Sequence, residues 1–146
     1  MVPLTVLNNT VAQESSIRKY IVFAFFVVTP AGFLFKFYSG PTQWWLNDYG
    51  AGLLYEVFWI LVIFFFLPKK ALTNKIPLWV FTITCALEIL QLWHPRVLER
   101  IRSYFLGRAL IGTSFSWWDF PHYAIGCVLG WLLINWIIKR CNQMGE

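Results

Sequence analysis

Four long apolar stretches, separated by short polar segments, dominate the chain. They cover residues 20–35, 49–67, 76–93 and 117–138. Each is close to the ~20 residues with which an α-helix crosses the hydrocarbon core of a bilayer. The pattern predicts an all-α, polytopic membrane protein with four transmembrane helices, and an even number of crossings places both termini on one side of the membrane.

The composition excludes the main alternatives to a membrane protein. Apolar residues make up 58% of the 146 residues and charged residues only 13%, against roughly 25% charged residues in an ordinary soluble domain. A soluble chain of this size could not bury so much apolar surface. The three cysteines show no CxxC spacing, so neither a disulfide scaffold nor a structural zinc site is expected, and no cofactor is predicted.

Charged residues mark the expected boundaries and the orientation. We expect a polar N-terminal tail over residues 1–16, one membrane domain over 17–140 and a C-terminal tail over 141–146. A basic pair precedes the first stretch, as in a secretory signal, but the stretch is long and no small-residue cleavage site follows, which favours a retained helix with a kink at Pro30. Seven basic residues lie on the side of the termini and five on the other side, which predicts cytoplasmic termini. The seven are Arg18, Lys19, Lys69, Lys70, Lys75, Lys139 and Arg140.

The loop before the last stretch carries several arginines. Val97 and Ile101 recur with helical spacing on one face of residues 96–106, and arginines fill the other face. This pattern predicts an amphipathic helix in the headgroup plane between the third and fourth spans. Its arginine side chains, Arg96, Arg100 and Arg102, are expected to reach lipid phosphates. Because the basic residues of the chain flank apolar stretches, we expect the lipid bilayer and not a nucleic acid as their partner.

Ionisable and amide side chains within the stretches converge on one leaflet. Glu88 and Gln91 share a helical face at the end of the third stretch, and Asp119 and His122 share a face at the start of the fourth. With cytoplasmic termini, this leaflet is the outer one. Four further candidates lie at the same end: Asp48, Glu56, Arg108 and Trp118.

These residue types suit acid–base chemistry on a bound polar group. A charge in hydrocarbon costs on the order of 2.5 to 3.5 kcal/mol on insertion scales, so such residues are paired, hydrated or functional. Asp119 could orient His122 for proton transfer, which makes Glu88, Asp119 and His122 the candidate catalytic residues. The candidate binding residues are Arg108, as a bidentate donor to an anionic group, with Gln91, Asp48, Glu56 and Trp118. The same cluster could equally hold the helices in register, and no HExxH or tight ligand pair supports a metal site.

Two glycines continue the ridge of His122 along the last stretch. Gly126 and Gly130 follow it in steps of four residues. Small residues at this spacing let membrane helices approach closely. We therefore expect this face of the last helix to pack against another helix.

Residues 87–132 resemble a bacterial membrane family known only as a domain of unknown function, itself similar to VanZ-like proteins. The VanZ-like pattern is a Glu and a Gln on one helix, an Arg in the next loop, and an Asp, a polar residue and glycines on the last helix. The matching residues in this chain are Glu88, Gln91, Arg108, Asp119, His122, Gly126 and Gly130. His122 stands where VanZ-like proteins more usually carry Asn. Residues 44–47, Gly52 and Tyr55 extend the resemblance to the uncharacterised family. It implies a VanZ-like domain in a bacterial plasma membrane with a role in the envelope, since VanZ is associated with low-level teicoplanin resistance.

Two hypotheses for function arise. The first is a VanZ-like protein of the cell envelope whose outer-leaflet polar pocket binds a lipid-linked or cell-wall-derived group, with a reaction on that group left open. The second is a non-enzymatic accessory or structural subunit of a larger membrane complex, with the glycine ridge and aromatic spans as its interfaces. Ion transport is disfavoured because the inner halves of the spans hold no ionisable residue, only Thr82, Thr84 and Asn135.

Overall fold

Helices account for nearly all of the chain that the structure describes. The computed structural model describes residues 4–93, 95–104, 106–107 and 115–143, with side chains from residue 13 onward. No β-strand occurs within these ranges, which confirms the all-α class. The helices are α1 (Leu4–Phe37), α2 (Gln43–Trp45), α3 (Ala51–Phe66), α4 (Lys75–Leu90), α5 (Arg96–Arg102) and α6 (Asp119–Gln143), with a π-helical turn at Leu46–Gly50 and a 3-10 turn at Lys70–Leu72.

Three helical segments are long and apolar enough to cross a membrane. They are Gln13–Phe37 and Asp119–Gln143, with 25 residues each, and Gln43–Phe66, with 24 residues. The last of these joins α2, the π-helical turn and α3 into one continuous helical segment. The three segments correspond to the first, fourth and second predicted spans, and they support a membrane protein.

The third predicted span is a shorter helix than expected. α4 has 16 residues, so at 1.5 Å per residue it measures about 24 Å, against ~30 Å of hydrocarbon in a typical bilayer. Pro77 is tolerated in its first turn because the N–H groups there lack partners within the helix. α4 packs against α3 and α6, so it belongs to the bundle although its length falls short of a standard span.

α1 begins well before the first apolar stretch. The sequence predicts a polar tail over residues 1–16, but the helix runs from Leu4 to Phe37 and continues past Pro30. Extending an existing helix costs far less free energy than nucleating one, so the polar residues next to an apolar helix join it. For the same reason α6 continues to Gln143, into the predicted C-terminal tail.

α3 and α6 run side by side in the same direction and touch at the glycine ridge. A Cβ atom at Gly126 would lie 2.8 Å from Glu56 Cβ and 2.8 Å from the carbonyl oxygen of Leu53, and one at Gly130 would lie 2.6 Å from Ile60 Cδ1. This close approach confirms the predicted packing of the ridge. Because its partner is α3 of the same chain, the ridge is not free to contact another subunit, as the accessory-subunit hypothesis had supposed.

The bundle has two chemically different ends. The side chain of Gln13 donates a hydrogen bond to Asn142 Oδ1, so the N-terminal part of α1 and the end of α6 meet at one end. α4 runs opposite to α6, because Glu88 near its end contacts Tyr123 near the start of α6. We call the end with Asp48, Glu88 and Asp119 the acidic end. The opposite end, the basic end, carries Arg18, Lys19, Lys69, Lys70, Lys75, Lys139 and Arg140.

Buried apolar and buried polar residues divide between these ends. Ile21, Phe64 and Ile134 have no exposed surface and lie toward the basic end. The buried carboxyl and amide side chains, Glu88 and Gln91 among them, lie toward the acidic end. The fold thus gathers its buried carboxyl and amide groups toward one end, where the sequence predicts them, while buried Thr73 lies at the basic end.

Candidate functional site

Glu88 is the centre of the polar interior. It lies in the last turns of α4 and is 1% exposed. Its Oε1 accepts a hydrogen bond from the backbone N–H of Ser116 at 2.8 Å, and its Oε2 accepts from Gln91 Nε2 at 2.6 Å and from the Tyr123 hydroxyl at 2.9 Å. Three donors from three parts of the chain replace the water that a carboxylate loses on burial. The fold is therefore organised around this carboxyl group.

Asp119 extends the cluster toward the surface. It is partly exposed in the first turn of α6, and its carboxyl group interacts electrostatically with Glu88, His122 and Asp48. The N-terminal turn of a helix favours a negative charge. Within the described ranges, no Lys or Arg forms an ion pair with these three acidic residues. We call Asp48, Glu88 and Asp119 the acidic cluster.

His122 stands beside the acidic cluster with a defined orientation. Its Nδ1 lies 2.6 Å from the carbonyl oxygen of Trp118, and its ring stacks on Tyr49 with centroids 4.3 Å apart. A carbonyl oxygen only accepts, so Nδ1 carries the proton, and Nε2 of the neutral ring is an acceptor. Nε2 makes no hydrogen bond to the described residues. The sequence assigns the orientation of this ring to Asp119, whereas the structure shows that the Trp118 carbonyl and Tyr49 hold it.

The π-helical turn Leu46–Gly50 shapes the edge of the site. π-helical turns are rare and occur frequently at functional sites. This one carries exposed Asp48 and places Tyr49 against His122. Trp45, just before the turn, meets His122 edge-on at 5.9 Å. The turn therefore adds an aromatic wall, Trp45, Tyr49 and His122, to the acidic cluster.

Glu56 is separate from this surface. It is 0% exposed between α3 and α6, where the Cys127 thiol donates a hydrogen bond to its Oε2 at 3.1 Å. Its Oε1 has no hydrogen-bond partner among the described residues. A substrate could reach Glu56 only if α3 and α6 moved apart at Gly126.

The remaining predicted binding residues, Gln91, Trp118 and Arg108, differ in their exposure and in whether the structure describes them. Gln91 is 7% exposed and bonded to Glu88, whereas the Trp118 side chain is exposed beside His122. Arg108 lies outside the described residues, so its predicted contact with an anionic group stays a prediction. His94 also lies outside them. Within the described chain, no three His, Cys, Asp or Glu residues converge as a metal site.

Arg102 is a buried residue that the sequence pattern misassigned. It was expected to reach lipid phosphates, but it is 6% exposed. Its guanidinium donates to the carbonyl oxygens of Leu90 and Trp93, each at 3.3 Å, and to Glu99 Oε1 at 3.0 Å. It thereby caps the end of α4: it adds a second donor to the Leu90 carbonyl, which also accepts from the backbone N–H of Trp93 at 3.1 Å, and it supplies a donor to the Trp93 carbonyl beyond the helix. The polar face of α5 contacts α4 at this position, while Arg96 and Arg100 remain exposed.

Sequence reasoning also missed two tyrosines of the site. Tyr123 follows Asp119 by four residues, so it shares that helical face, and this spacing could have identified it. Tyr49 gives no such signal, because its contact with His122 depends on the π-helical turn between distant segments.

Comparison with known proteins places this site within a described domain family. A family model described as "Protein of unknown function (DUF2809)" matches residues 41–127, more than half of the chain. The matched segment includes α3, α4, the acidic cluster and His122. No curated protein and no solved structure matches the chain.

Proposed function

The chain belongs to the DUF2809 family, and we propose that it is a multi-pass protein of the bacterial plasma membrane whose acidic end binds a lipid-linked or cell-wall-derived group. The similarity to VanZ-like proteins is part of this proposal. It is supported by Glu88, Gln91 and Asp119, which follow the VanZ-like order along the chain and lie in one cluster in the fold.

We propose that α4 crosses the membrane as a fourth, shorter span. The contact between Gln13 and Asn142 supports this, because both termini of the bundle at one end require an even number of crossings. Lysines at residues 69, 70 and 75 flank the start of α4, and their flexible side chains can reach the interface from a position somewhat inside it. The exposed apolar residues Val97 and Ile101 of α5 support an interfacial position for that helix.

The basic residues support an orientation. All seven basic residues of the basic end flank the apolar stretches of the chain, and such residues favour the cytoplasmic side. This orientation places the termini in the cytoplasm and the acidic end in the outer leaflet, where envelope precursors are used.

The observation that carries the binding proposal is the pairing of buried Glu88 with partly exposed Asp119 beside His122. Glu88 accepts its hydrogen bonds from protein donors and is buried, whereas Asp119 and His122 are partly exposed. Ionisable groups within membrane segments are retained mainly where they serve a function. In this arrangement Asp119 binds the ligand, His122 is placed to accept a proton from it, and Glu88 positions both. Arg108 stays the predicted partner of an anionic part of the ligand.

Lipid identification tests this proposal. The protein is extracted from its membrane in polymer-bounded nanodiscs that retain native lipid, and the co-purifying lipids and precursors are identified by mass spectrometry. We expect the wild type and Glu14→Gln, a control at the basic end, to retain a species that Asp119→Asn loses. Identical lipid content in all three preparations would contradict the proposal, and a stoichiometric protein partner in each would favour the accessory-subunit hypothesis instead.

A further inference from the structure

We infer that the acidic end recognises a primary ammonium group, of the kind carried by an aminophospholipid headgroup. This inference rests on the proposed function and specifies the ligand chemistry of the same site. Three features carry it: the charge of the acidic cluster, two unused hydrogen-bond acceptors, and the aromatic wall.

The charge of the site favours a cation. Asp119 interacts electrostatically with Asp48, His122 and Glu88, and it shares a side-chain hydrogen bond with Glu88. No Lys or Arg among the described residues forms an ion pair with either aspartate. Charges at the edge of a bilayer are screened less than charges in bulk water, so a bound cation would gain more from this arrangement than at an ordinary surface. Lys36 donates to the carbonyl oxygen of Asn47, next to Asp48, but it forms no ion pair with the cluster.

Two acceptors indicate that this cation carries N–H bonds. Gln91 is more than nine-tenths buried, and its Oε1 has no hydrogen-bond partner among the described residues. Because its Nε2 is bonded to Glu88, the amide group borders the cluster, and its Oε1 is a buried acceptor without a donor among the described residues. In the neutral form of the ring, His122 Nε2 is a second acceptor, since Nδ1 is committed to the Trp118 carbonyl. A buried acceptor without a donor costs about 1–3 kcal/mol, and a primary ammonium, unlike a trimethylammonium, supplies three donors.

The aromatic wall suits the same ligand. Trp45 and Tyr49 flank His122, and cations bind favourably near the faces of such rings. Exposed Trp117 and Trp118 lie at the same end, and tryptophans concentrate at the level of lipid headgroups. The site is therefore at the depth where a lipid amine is found.

Lipid selectivity tests the inference. Purified full-length protein in detergent is titrated with phosphatidylethanolamine, phosphatidylcholine or phosphatidylglycerol, and binding is followed by native mass spectrometry. We expect phosphatidylethanolamine to bind at least 10-fold more tightly than the other two lipids. Asp119→Asn should remove most of this preference, and His122→Phe, which keeps a ring against Tyr49 but has no Nε2 acceptor, should reduce it. Glu14→Gln at the basic end is the matched control and should bind as the wild type does.

The outcomes separate this inference from the proposed function. Equal binding of phosphatidylcholine and phosphatidylethanolamine would overturn the requirement for N–H donors. Binding of phosphatidylglycerol that depends on Asp119 would leave the binding function standing and refute the amine. Lipid binding that neither variant changes would contradict both. Competition by soluble phosphoethanolamine identifies the source of the amine. If phosphoethanolamine competes at the affinity of the lipid, the ligand is a free amine, whereas if only the lipid binds, the ligand is a membrane headgroup. Either result supports the inference.

Discussion

At the scale of single residues, Glu88 depends on donors that can be removed one at a time. Tyr123→Phe deletes only the hydroxyl group that donates to Glu88 Oε2 at 2.9 Å. A lost hydrogen bond to a charged group costs about 1.5–3 kcal/mol. We expect the midpoint of thermal unfolding in detergent to fall by about 3–12 °C for a chain of this size.

Tyr104→Phe is the control for this substitution, because Tyr104 is exposed outside the cluster. It should leave the unfolding midpoint within about 1 °C of the wild type. If the two variants unfolded at the same temperature, the Tyr123–Glu88 hydrogen bond would contribute nothing to stability.

The site shows which residues a sequence can identify and which it cannot. Glu88 and Asp119 could be predicted because a carboxylate inside an apolar stretch is conspicuous in any membrane sequence. The role of Arg102 could not be predicted, because helical spacing places it on the polar face of α5 without showing that α4 lies against that face. Tyr49 meets His122 across distant parts of the chain, and no local pattern encodes such a contact.

At the scale of helices, the contact between α3 and α6 predicts a difference between two glycines. A Cβ at Gly126 would meet the backbone carbonyl of Leu53 at 2.8 Å, which cannot move without moving α3. A Cβ at Gly130 would meet only side-chain atoms of Ile60, with Cδ1, the far end of that side chain, at 2.6 Å and Cβ at 3.3 Å. Overpacking costs typically about 1–3 kcal/mol, so we expect Gly126→Ala near the upper end of this range and Gly130→Ala near the lower end.

Thermal unfolding in detergent measures both effects, and Gly32→Ala serves as the control. The nearest atom to a Cβ at Gly32 is Leu54 Cβ at 3.9 Å, an ordinary van der Waals distance. We expect this variant to be as stable as the wild type or slightly more so, because alanine favours helix over glycine. Equal destabilisation by all three substitutions would show that the α3–α6 contact does not limit stability.

Arg102 links α5 to the end of α4, and its removal should loosen that end. Arg102→Ala leaves the carbonyl groups of Leu90 and Trp93 without these donors, at a cost of about 2 kcal/mol. We expect faster amide hydrogen exchange in the last turn of α4, which carries Glu88, and little change at the basic end. Arg100→Ala, with an exposed side chain on the same helix, should exchange as the wild type does, and the same result for both variants would contradict the capping role.

At the scale of the whole molecule, the helical class and the positions of the apolar helices were predictable, because hydrophobic stretches of this length have few alternatives in a bilayer. The lengths of the helices were less predictable from the sequence. α1 extends into polar residues and α4 stops at Leu90, since helix ends depend on neighbours and capping groups as well as on hydrophobicity. The π-helical turn, on which the aromatic wall depends, has no recognised sequence signal.

The number of crossings is the property of the whole molecule on which orientation and site access depend. Four crossings place both termini on the same side of the membrane, whereas three would place them on opposite sides. Reporter fusions distinguish these cases, because green fluorescent protein fluoresces only when it remains inside the cell and alkaline phosphatase is active only after export.

We expect fusions of the fluorescent protein at each terminus to fluoresce, and a phosphatase fused after residue 104, beyond α5, to be active. A fusion of the phosphatase after residue 74, in the connection before α4, is the matched control and should be inactive, because basic residues such as Lys69 and Lys70 favour the cytoplasmic side. An inactive phosphatase at residue 104 together with an exported C-terminus would mean that α4 does not cross, and would remove the acidic end as a site on the outer leaflet.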